Sequence, residues 1–527
     1  MKLPLLDLIV FIILTFGNVI FGSFFYFKNK TSDHFTSGGG KLPAWVVGMS
    51  IFATFVSSIS FLALPGKAYS SNWNAFVFSL SIPVASILAV KFFIPLYRGI
   101  GSISAYTYLE MRFGAWARMY ASLCYILTQL MRTGAILLLL ALPLHALFGW
   151  DIKTVIIITG IAVTIYSMLG GIQAVIWTDA IQGIILIAGA VVCALILTFS
   201  MPEGPAQVFE IAMANDKFSL GSFSASLTDS TFWVVLIYGL FINLQNYGID
   251  QNYVQRYMTT SSDREAKSSA LFGSLLYVPV SLVFFYIGTA LFAYYTARPD
   301  LLPDSLQTAG AGDKVFPHFI VNGLPTGVTG LLIAAIFAAG MSTIATSINS
   351  TATITLSDYY KRYFNKNASD KASMRVLYLS SLVFGLLGIL IALALVGVES
   401  VLDAWWALAS IFSGGMLGLF LLGYLSKKVR NIDAAVGVIV GALIIIWMSL
   451  SPVIFTRDEL LVFRSPFHSN LTIVFGTLAI ALVGFLLAKL LQTGDRRRGI
   501  GERKRVQGHG EDRRPETGDR KRKTVRR

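Results

Sequence analysis

Hydroxyl side chains interrupt an apolar segment near the start of the chain. Between residues 52 and 66 the sequence carries, among large apolar residues, Thr54, Ser57, Ser58 and Ser60. A single hydroxyl in a membrane helix usually bonds the carbonyl four residues earlier, which serves structure alone. Four hydroxyls so close together instead favour an unwound helix, whose freed carbonyls and hydroxyls bind an ion and a polar solute.

A second hydroxyl-rich segment lies late in the apolar stretch 326–356. Its spacing of i, i+3, i+4 and i+7 places four residues on one helical face, namely Ala339, Ser342, Thr343 and Thr346. A backbone carbonyl beside hydroxyls offers the hard, neutral oxygen ligands that suit sodium. Ser and Thr faces also hold membrane helices together. Together with the first segment, however, this face favours a cation site.

Arg132 stands midway along the apolar segment 117–147. A charged side chain at the centre of a spanning helix costs about 2.5–3.5 kcal/mol on insertion scales, and from there it cannot easily reach the membrane surface. Two interpretations remain open. Arg132 pairs with a buried carboxylate, or its planar guanidinium binds an anionic substrate with two parallel hydrogen bonds.

Asp179 follows the pair Gly170-Gly171 and precedes a long apolar run. An acidic residue in this position is expected inside the membrane, where such groups are costly and functional. Three roles are open at this point. Asp179 is a counter-ion to Arg132, a hard oxygen ligand for a cation, or a cap at the start of a buried helix.

The elements that must position these groups are membrane helices. Of the 527 residues 55% are hydrophobic and 13% charged, with a mean hydropathy of +0.67, so most of the surface must face lipid. A spanning helix needs about 20 apolar residues. The sequence predicts about thirteen spans, at 5–26, 45–66, 75–97, 117–147, 154–169, 175–200, 231–248, 268–296, 326–356, 374–397, 402–424, 432–452 and 470–492.

Polar residues interrupt two of these spans. The first is 45–66, with its four hydroxyls, and the second is 231–248, which a polar run from Asn243 to Asp250 ends abruptly. Counted from the second span, they are the first and sixth of ten. Broken helices at these two places are what a five-plus-five inverted repeat predicts.

The sequence predicts one transmembrane domain over 1–492. It comprises an extra N-terminal helix at 5–26, a ten-helix core at 45–424 and two C-terminal helices within 432–492, and a basic disordered tail follows at 493–527. Basic residues concentrate in alternate loops, which predicts an external N-terminus and a cytoplasmic C-terminus. The net charge of +14 comes largely from the tail, which lacks aromatic residues for base stacking and therefore suits anionic lipid better than nucleic acid.

Other functions need features that this sequence lacks. A channel needs a continuous polar pore, an enzyme needs a nucleophile, acid or metal ligands in contact, and a sensor needs an appended signalling domain. The histidines are not in metal-ligand spacing, and the two cysteines, Cys124 and Cys193, both lie in apolar segments. We therefore expect a monomeric transporter, not an enzyme, whose partners are a small solute, sodium and the lipid bilayer, with no nucleic acid.

Several segments resemble the sodium:solute symporter family. They are Gly38-Gly39-Gly40 to Trp45, Ser57-Ser58, Ser104 to Phe113, Gly170-Gly171 to Asp179, Asp250 to Tyr257, and Ser342-Thr343. The resemblance spans about residues 5–490. It implies an all-α integral membrane fold of the LeuT type, with a five-plus-five inverted repeat and about 13 transmembrane helices. It further implies sodium-coupled import by alternating access across a bacterial cytoplasmic membrane, with Na+ as the co-transported ion.

The resemblance also assigns a principal sodium site between the first and eighth core helices. The matching positions are Ala53, Val56, Ala339, Ser342 and Thr343, the first three through backbone carbonyls. The helical spacing described above also places Ala339, Ser342 and Thr343 on one face of the eighth core helix.

Within the family, the chain resembles the bacterial sialic acid branch. The matching substrate positions are Ser57, Ser60 and Arg132, with Arg132 holding the carboxylate. Other pocket positions are Ala75, Ser79 and Leu240, where that branch carries larger or more polar groups. The solute predicted is a carboxylated sugar such as sialic acid, and the alternative is a neutral sugar or a monocarboxylate.

The same branch suggests a second sodium site. Its ligands would be Asp179, Ser342, Thr346 and a neighbouring hydroxyl, but the neighbour here is Ala345. One oxygen ligand is therefore lost, and the number of sodium ions per solute stays open.

Overall fold

The computed structural model describes residues 4–27, 31–56, 58–308, 312–397, 415–455 and 458–508, and these residues form helices and loops without strands. Ten helices in this part of the chain are long and apolar enough to cross a membrane, and one bent pair makes eleven. The predicted total of about thirteen is not confirmed. Most of the predicted span 402–424 lies outside the described residues.

The main helices are numbered here in chain order. They are α1 (Leu5–Phe24), α2 (Ala44–Phe55), α3 (Ser58–Ser70), α4 (Trp73–Ile100), α5 (Thr107–Phe113), α6 (Ala115–Phe148), α7 (Ile152–Phe199), α8 (Ala206–Ala214), α9 (Phe232–Ile249), α10 (Gln251–Tyr257), α11 (Asp263–Ala297), α12 (Gly312–Asn322), α13 (Val328–Phe364), α14 (Asp370–Ala394), α15 (Gly415–Leu425), α16 (Asn431–Ile454) and α17 (Leu471–Gly508).

The first core helix is broken between α2 and α3. Val56, which follows α2, has an extended backbone with φ −81° and ψ 116°, and the two helix axes differ by 53°. The last carbonyls of α2 therefore lose their regular helical partners and become available to a ligand. Ser57, at the break itself, lies outside the described residues.

The sixth core helix is broken in the same manner, between α9 and α10. Asp250 separates them with an extended backbone (φ −73°, ψ 127°), and its carboxylate accepts a hydrogen bond of 2.7 Å from the backbone N–H of Asn252. Breaks in the first and sixth core helices are the pair that the sequence predicts for an inverted repeat.

A bend at Gly171 divides α7 into two rods. Gly171 has φ 56° and ψ −160°, a conformation that only glycine adopts readily. A Cβ atom at this position would lie 3.0 Å from the backbone oxygen of Phe35. The bend separates the predicted spans 154–169 and 175–200, which are therefore joined without a loop.

The N-terminal helix α1 supports the start of α13. Asp7 is buried, and its Oδ1 accepts hydrogen bonds of 2.7 Å from the backbone N–H groups of Gly327 and Gly330. These donors belong to the first turn of α13, which has no partners for them within the helix. The extra helix thus fixes the element that carries Ser342 and Thr343.

Lys217, between α8 and α9, caps the C-terminal end of α3. Its ammonium group donates to the carbonyls of Tyr69 (2.7 Å) and Ser71 (2.9 Å) and lies 3.8 Å from the centre of the Phe292 ring. Burial lowers the pKa of Lys217 to about 8. The carbonyl groups at the end of α3, which have no partners within the helix, thereby gain a hydrogen-bond donor.

The C-terminal helix α17 extends into the predicted tail. The segment 493–527 is predicted as disordered, but α17 continues to Gly508, and residues 509–527 lie outside the described part. This extension contains five arginines, which are good helix formers, but also four glycines, which disfavour a helix. High charge does not by itself stop a helix that an apolar span has already nucleated.

The core helices pack as two groups. In the first, α11 lies against α2 and α3, and α4 lies against α9. In the second, α13 and α14 both pack on α6 and α7. The broken helix α2 contacts α7 and α13 of the other group, so both candidate ion-binding segments lie at the boundary between the groups.

Candidate functional site

Asp179 lies at the centre of a buried polar cluster at this boundary. Its side chain is fully buried, and its Oδ2 accepts hydrogen bonds from Ser50 of α2 (2.6 Å) and Arg256 of α10 (2.7 Å). Its Oδ1 accepts a third from Ser342 of α13 at 2.5 Å. The carboxylate therefore joins α7 to three further helices, through two hydroxyl groups and one guanidinium.

Arg256 is the partner of Asp179, and it too is fully buried. Its guanidinium also donates to Ser50 Oγ (2.8 Å), to the carbonyl of Asn252 (2.6 Å) and to Thr346 Oγ1 (2.9 Å). Asp179 is thus not a counter-ion to Arg132, which was one of the sequence interpretations.

The five predicted ligands of the principal sodium site are all buried. Ala53 and Val56 lie at the broken end of α2, and α2 and α3 both contact α13, which carries the other three. On that helix Thr343 Oγ1 donates to the carbonyl of Ala339 at 3.0 Å, so these two oxygens are adjacent. Ser342 gives its proton to Asp179, which leaves its lone pairs free to accept a cation.

Arg132, in the middle of α6, is half-buried. No described residue lies within hydrogen-bond distance of its guanidinium, although Asp250 at the α9–α10 break interacts with it electrostatically. A buried guanidinium normally has its donors paired. Arg132 therefore has donors to offer an anionic ligand that reaches the boundary between the helix groups.

Ser60 and Ser79 are linked through α11. Ser60 and Ser281 both lie near the hydroxyl group of Tyr277 on α11. Ser281 Oγ lies 2.8 Å from Ser79 Oγ on α4. The two predicted substrate residues therefore belong to one chain of hydroxyls, with Tyr277 and Ser281 as members that the sequence argument missed.

The remaining predicted substrate positions are less polar. Ala75 lies in the first turn of α4, among apolar residues that include Trp73 and Val278. Leu240 is half-buried on α9. Ser57 cannot be placed, since it lies outside the described residues.

A second polar network joins α10 to α13. Gln255 Nε2 lies within hydrogen-bond distance of the Thr36 carbonyl (2.7 Å), Asn349 Oδ1 (2.9 Å) and Thr353 Oγ1 (3.1 Å). Nearby, Tyr125 and Ser350 both donate to Asn252 Oδ1, at 2.8 Å and 2.7 Å. These bonds close one side of the boundary between the two helix groups.

Charged residues connect α5 to the second helix group. Arg118 of α6 forms ion pairs with Glu110 (2.8 Å) and Asp358 (2.6 Å), and Glu110 also pairs with Arg362. These ion pairs fix α5 against α6 and α13, which both belong to the second helix group.

One signal in the sequence could have found Arg256. It follows the helix break by only a few residues and shares a helical face with Asn252, four positions earlier. A basic residue so near a break in a membrane helix has carbonyls and polar side chains to bind, so it need not lie in a loop.

Comparison with known proteins gives consistent results. The sequence profile of the sodium:solute symporter family matches residues 35–441. The sodium/sialic acid symporter SiaT of Proteus mirabilis is 38% identical over 432 residues, which are 81% of this chain and 86% of that protein. NanT of Aliivibrio fischeri, also a sodium/sialic acid symporter, is 34% identical over 477 residues, with 89% and 90% covered.

Two further comparisons concern a more distant relative and a solved structure. The bovine sodium-coupled monocarboxylate transporter 2 is 30% identical over 455 residues, covering 85% of this chain and 73% of that protein. The solved structure of a Na+-coupled sialic acid symporter in its substrate-bound outward-open state superposes with a TM-score of 0.84 at 33% identity, covering 92% of this chain and 98% of that one.

Proposed function

The chain belongs to the sodium:solute symporter family, and from that premise we propose that it carries sialic acid inward together with sodium. As a family member it is a sodium-coupled symporter of the inner membrane, not an enzyme, and Na+ is its co-transported ion. The proposal adds the solute, the binding residues, a monomeric state and an orientation with the N-terminus outside.

The principal sodium ion is proposed to bind between the broken end of α2 and α13. Its ligands would be the carbonyls of Ala53, Val56 and Ala339 and the hydroxyls of Ser342 and Thr343. The burial of all five and the direction of the Ser342 proton support this assignment. A sodium ion there would hold the two helix groups together and favour one arrangement of the boundary.

The solute is proposed to bind Arg132 through its carboxylate, with Ser57, Ser60 and Ser79 near its hydroxyl groups and Ala75 and Leu240 against its apolar parts. The observation that carries this proposal is the half-buried guanidinium of Arg132, which has no hydrogen-bond partner among the described residues. Sodium and solute bind on neighbouring segments, so each stabilises the other's binding, typically by about 1–3 kcal/mol.

A monocarboxylate is the second candidate solute. It also carries the carboxylate that Arg132 would bind, and the bovine relative of that class is 30% identical. The small or apolar residues at Ala75 and Leu240 would also suit a solute with fewer hydroxyl groups than a sialic acid.

Uptake into proteoliposomes tests the solute. The purified protein is given labelled sialic acid, galactose, pyruvate or proline, with sodium and then potassium outside. Sodium-dependent uptake of sialic acid alone is the expected result. Uptake of pyruvate in its place would support the second candidate, and uptake of galactose alone would remove the carboxylate role from Arg132.

The sodium site is tested with Thr343→Ala. The substitution removes one proposed ligand, so uptake should need a higher external sodium concentration while the selectivity among solutes stays the same. The matched control is Thr355→Ala, because Thr355 lies on the same helix and donates only to the carbonyl of Thr351. An unchanged sodium dependence for Thr343→Ala would contradict the site.

A further inference from the structure

We propose that Asp7 is a positioning residue for the principal sodium ion, so that the affinity for sodium depends on α1, a helix outside the ten-helix core. The inference rests on the proposed sodium site, because three of its five ligands, Ala339, Ser342 and Thr343, belong to α13. The N-terminal helix α1 packs on α13 and on α7, which both belong to the second helix group.

The first contact fixes the start of α13. One carboxylate oxygen of Asp7 accepts hydrogen bonds of 2.7 Å from the backbone N–H groups of both Gly327 and Gly330. An acidic side chain at the start of a helix also interacts favourably with the helix dipole. Without this acceptor, two donors of the first turn would lose their partner, and the turn would have to move to pair them.

The second contact brings the two backbones together. A Cβ atom at Gly330 would lie 2.4 Å from the backbone oxygen of Asp7 and 2.6 Å from its Cα atom, so only glycine allows this approach. Further along both helices, the rings of Phe11 and Phe337 meet edge to face with 5.4 Å between their centroids. Phe337 precedes the proposed ligand Ala339 by two residues, so the contact with α1 extends to the sodium site.

A third contact acts through α7. A Cβ atom at Gly22, near the end of α1, would lie 3.0 Å from the ring of Tyr166. The buried Tyr166 hydroxyl donates to the carbonyl of Met341 at 3.1 Å, directly before Ser342. The N-terminal helix therefore holds α13 at its start and, through Tyr166, beside a proposed sodium ligand.

A shift at the start of α13 would be carried to the sodium ligands. Residues 332–354 are all buried, and close-packed interiors transmit displacement instead of absorbing it. The other two ligands, Ala53 and Val56, lie at the end of α2 in the first helix group and would not move with α13. Since ligands must be held within about 0.5 Å of their productive positions, such a shift should weaken sodium binding.

Asp7→Leu is the first variant to test. It removes the acceptor for Gly327 and Gly330, so the sodium concentration needed for half of the maximal effect should rise, by about twofold to thirtyfold. The KM for the solute at saturating sodium should stay the same, because Arg132 lies on α6.

The measurement is the midpoint of thermal unfolding of the detergent-solubilised protein as a function of sodium concentration. Potassium replaces sodium so that the ionic strength stays constant. A ligand that binds only the folded protein raises the midpoint, and the concentration that gives half of the rise reports its affinity. A merely structural role for Asp7 would lower the midpoint without sodium but leave that concentration unchanged, which would overturn the proposal.

Three further variants keep the test decisive if Asp7→Leu does not fold. Gly330→Ala pushes α1 away from α13 while the carboxylate is retained, and it should weaken sodium binding in the same way. Asp7→Asn keeps an acceptor oxygen without the charge, so its effect should be smaller. Gly17→Ala is the control, since a Cβ atom there meets nothing within 4 Å. Sodium affinities equal to that of the wild type in Gly330→Ala and Asp7→Asn would refute the role of α1.

Thr343→Ala in the same assay separates this inference from the sodium site on which it rests. Loss of sodium affinity in Thr343→Ala but not in Asp7→Leu would mean that the site is correct and that Asp7 does not position it. An unchanged affinity in Thr343→Ala would remove the site itself, and with it the role proposed for Asp7. The midpoint depends on sodium alone, so neither result requires the solute to be known.

Discussion

Asp179 accepts hydrogen bonds from side chains on three helices, and the donor from α13 is Ser342. A hydroxyl that donates its proton to a carboxylate must direct its lone pairs elsewhere. In the proposed sodium site, the hydrogen bond to Asp179 would therefore orient the Ser342 oxygen as a neutral ligand for the ion. Arg256 holds Asp179 in place through a bond of 2.7 Å, so the orientation of Ser342 depends on a residue that is not among the proposed sodium ligands.

Arg132→Ala is expected to weaken the binding of a carboxylated solute. Hydrogen bonds to a charged group contribute about 1.5–3 kcal/mol, so the KM for sialic acid uptake should rise about 10- to 100-fold. The sodium dependence of the remaining uptake should not change, because Arg132 is not among the sodium ligands. Initial uptake rates over a range of solute and sodium concentrations give both constants.

Two variants control this prediction. Arg132→Lys keeps the charge but loses the planar pair of donors, so its KM should fall between those of the wild type and Arg132→Ala. Arg264→Ala removes an exposed arginine outside the proposed site and should leave uptake unchanged. If Arg132→Ala lowered the amount of folded protein but left KM unchanged, Arg132 would have a structural role instead.

The sequence predicts the polar groups of the candidate site but not all of the partners that the structure gives them. Arg132, Asp179 and Ser342 stand out because each is costly or unusual within an apolar helix. The pairing of Asp179 with Arg256 could not be read in this way, since the two residues are far apart in sequence. Arg256 also belongs to a short segment whose polar residues resemble those of a loop.

Among the helices, the breaks were easier to predict than the boundaries. Polar residues in an apolar span mark the α2–α3 and α9–α10 breaks directly. The sequence does not predict that two spans join into α7. It shows Gly170 and Gly171, but not the backbone angles that let the chain bend there without a loop. The extension of α17 was missed because its high charge resembles that of a disordered tail.

Gly171→Ala is expected to destabilise the protein through the bend in α7. The backbone at Gly171 disfavours any residue with a Cβ atom, and that atom would also meet Phe35, for which we expect a cost of about 1–3 kcal/mol. The measurement is the midpoint of thermal unfolding of the detergent-solubilised protein, which should fall.

Gly17→Ala is the matched control for the bend. Gly17 lies within α1, and a Cβ atom there would have no neighbour within 4 Å. Alanine is the better helix former, so the unfolding midpoint should stay the same or rise slightly. Equal losses in the two variants would mean that the bend at Gly171 does not depend on glycine.

For the whole molecule, the relevant feature is the boundary between the two helix groups. The bonds from α10 to α13 hold one side closed, but some polar atoms in this network remain unpaired among the described residues, including Asn252 Nδ2, Gln255 Oε1 and Asn349 Nδ2. Buried polar atoms without partners make a closed arrangement less stable. A closure of this kind suits alternating access, in which it must form and separate in every cycle.

Gln255→Ala is expected to shift the protein away from the arrangement in which this side is closed. The substitution removes the contacts with Thr36, Asn349 and Thr353, and each bond contributes about 0.5–1.5 kcal/mol. In the proposed orientation, in which this side faces the cytoplasm, fewer molecules would then present the proposed sodium site to the outside. The apparent constant for external sodium should therefore rise, by up to about tenfold. Sodium-stimulated uptake gives this constant directly.

Ser167→Ala tests whether that effect belongs to the boundary. Ser167 is buried and donates to the carbonyl of Ala345, but both residues lie in the same helix group. Loss of this hydrogen bond should lower the midpoint of thermal unfolding. The apparent sodium constant should stay the same, because both arrangements of the helix groups lose the same bond. If Ser167→Ala raised the sodium constant as much as Gln255→Ala does, loss of any buried bond would explain both results, and the network between α10 and α13 would not be the element that separates during transport.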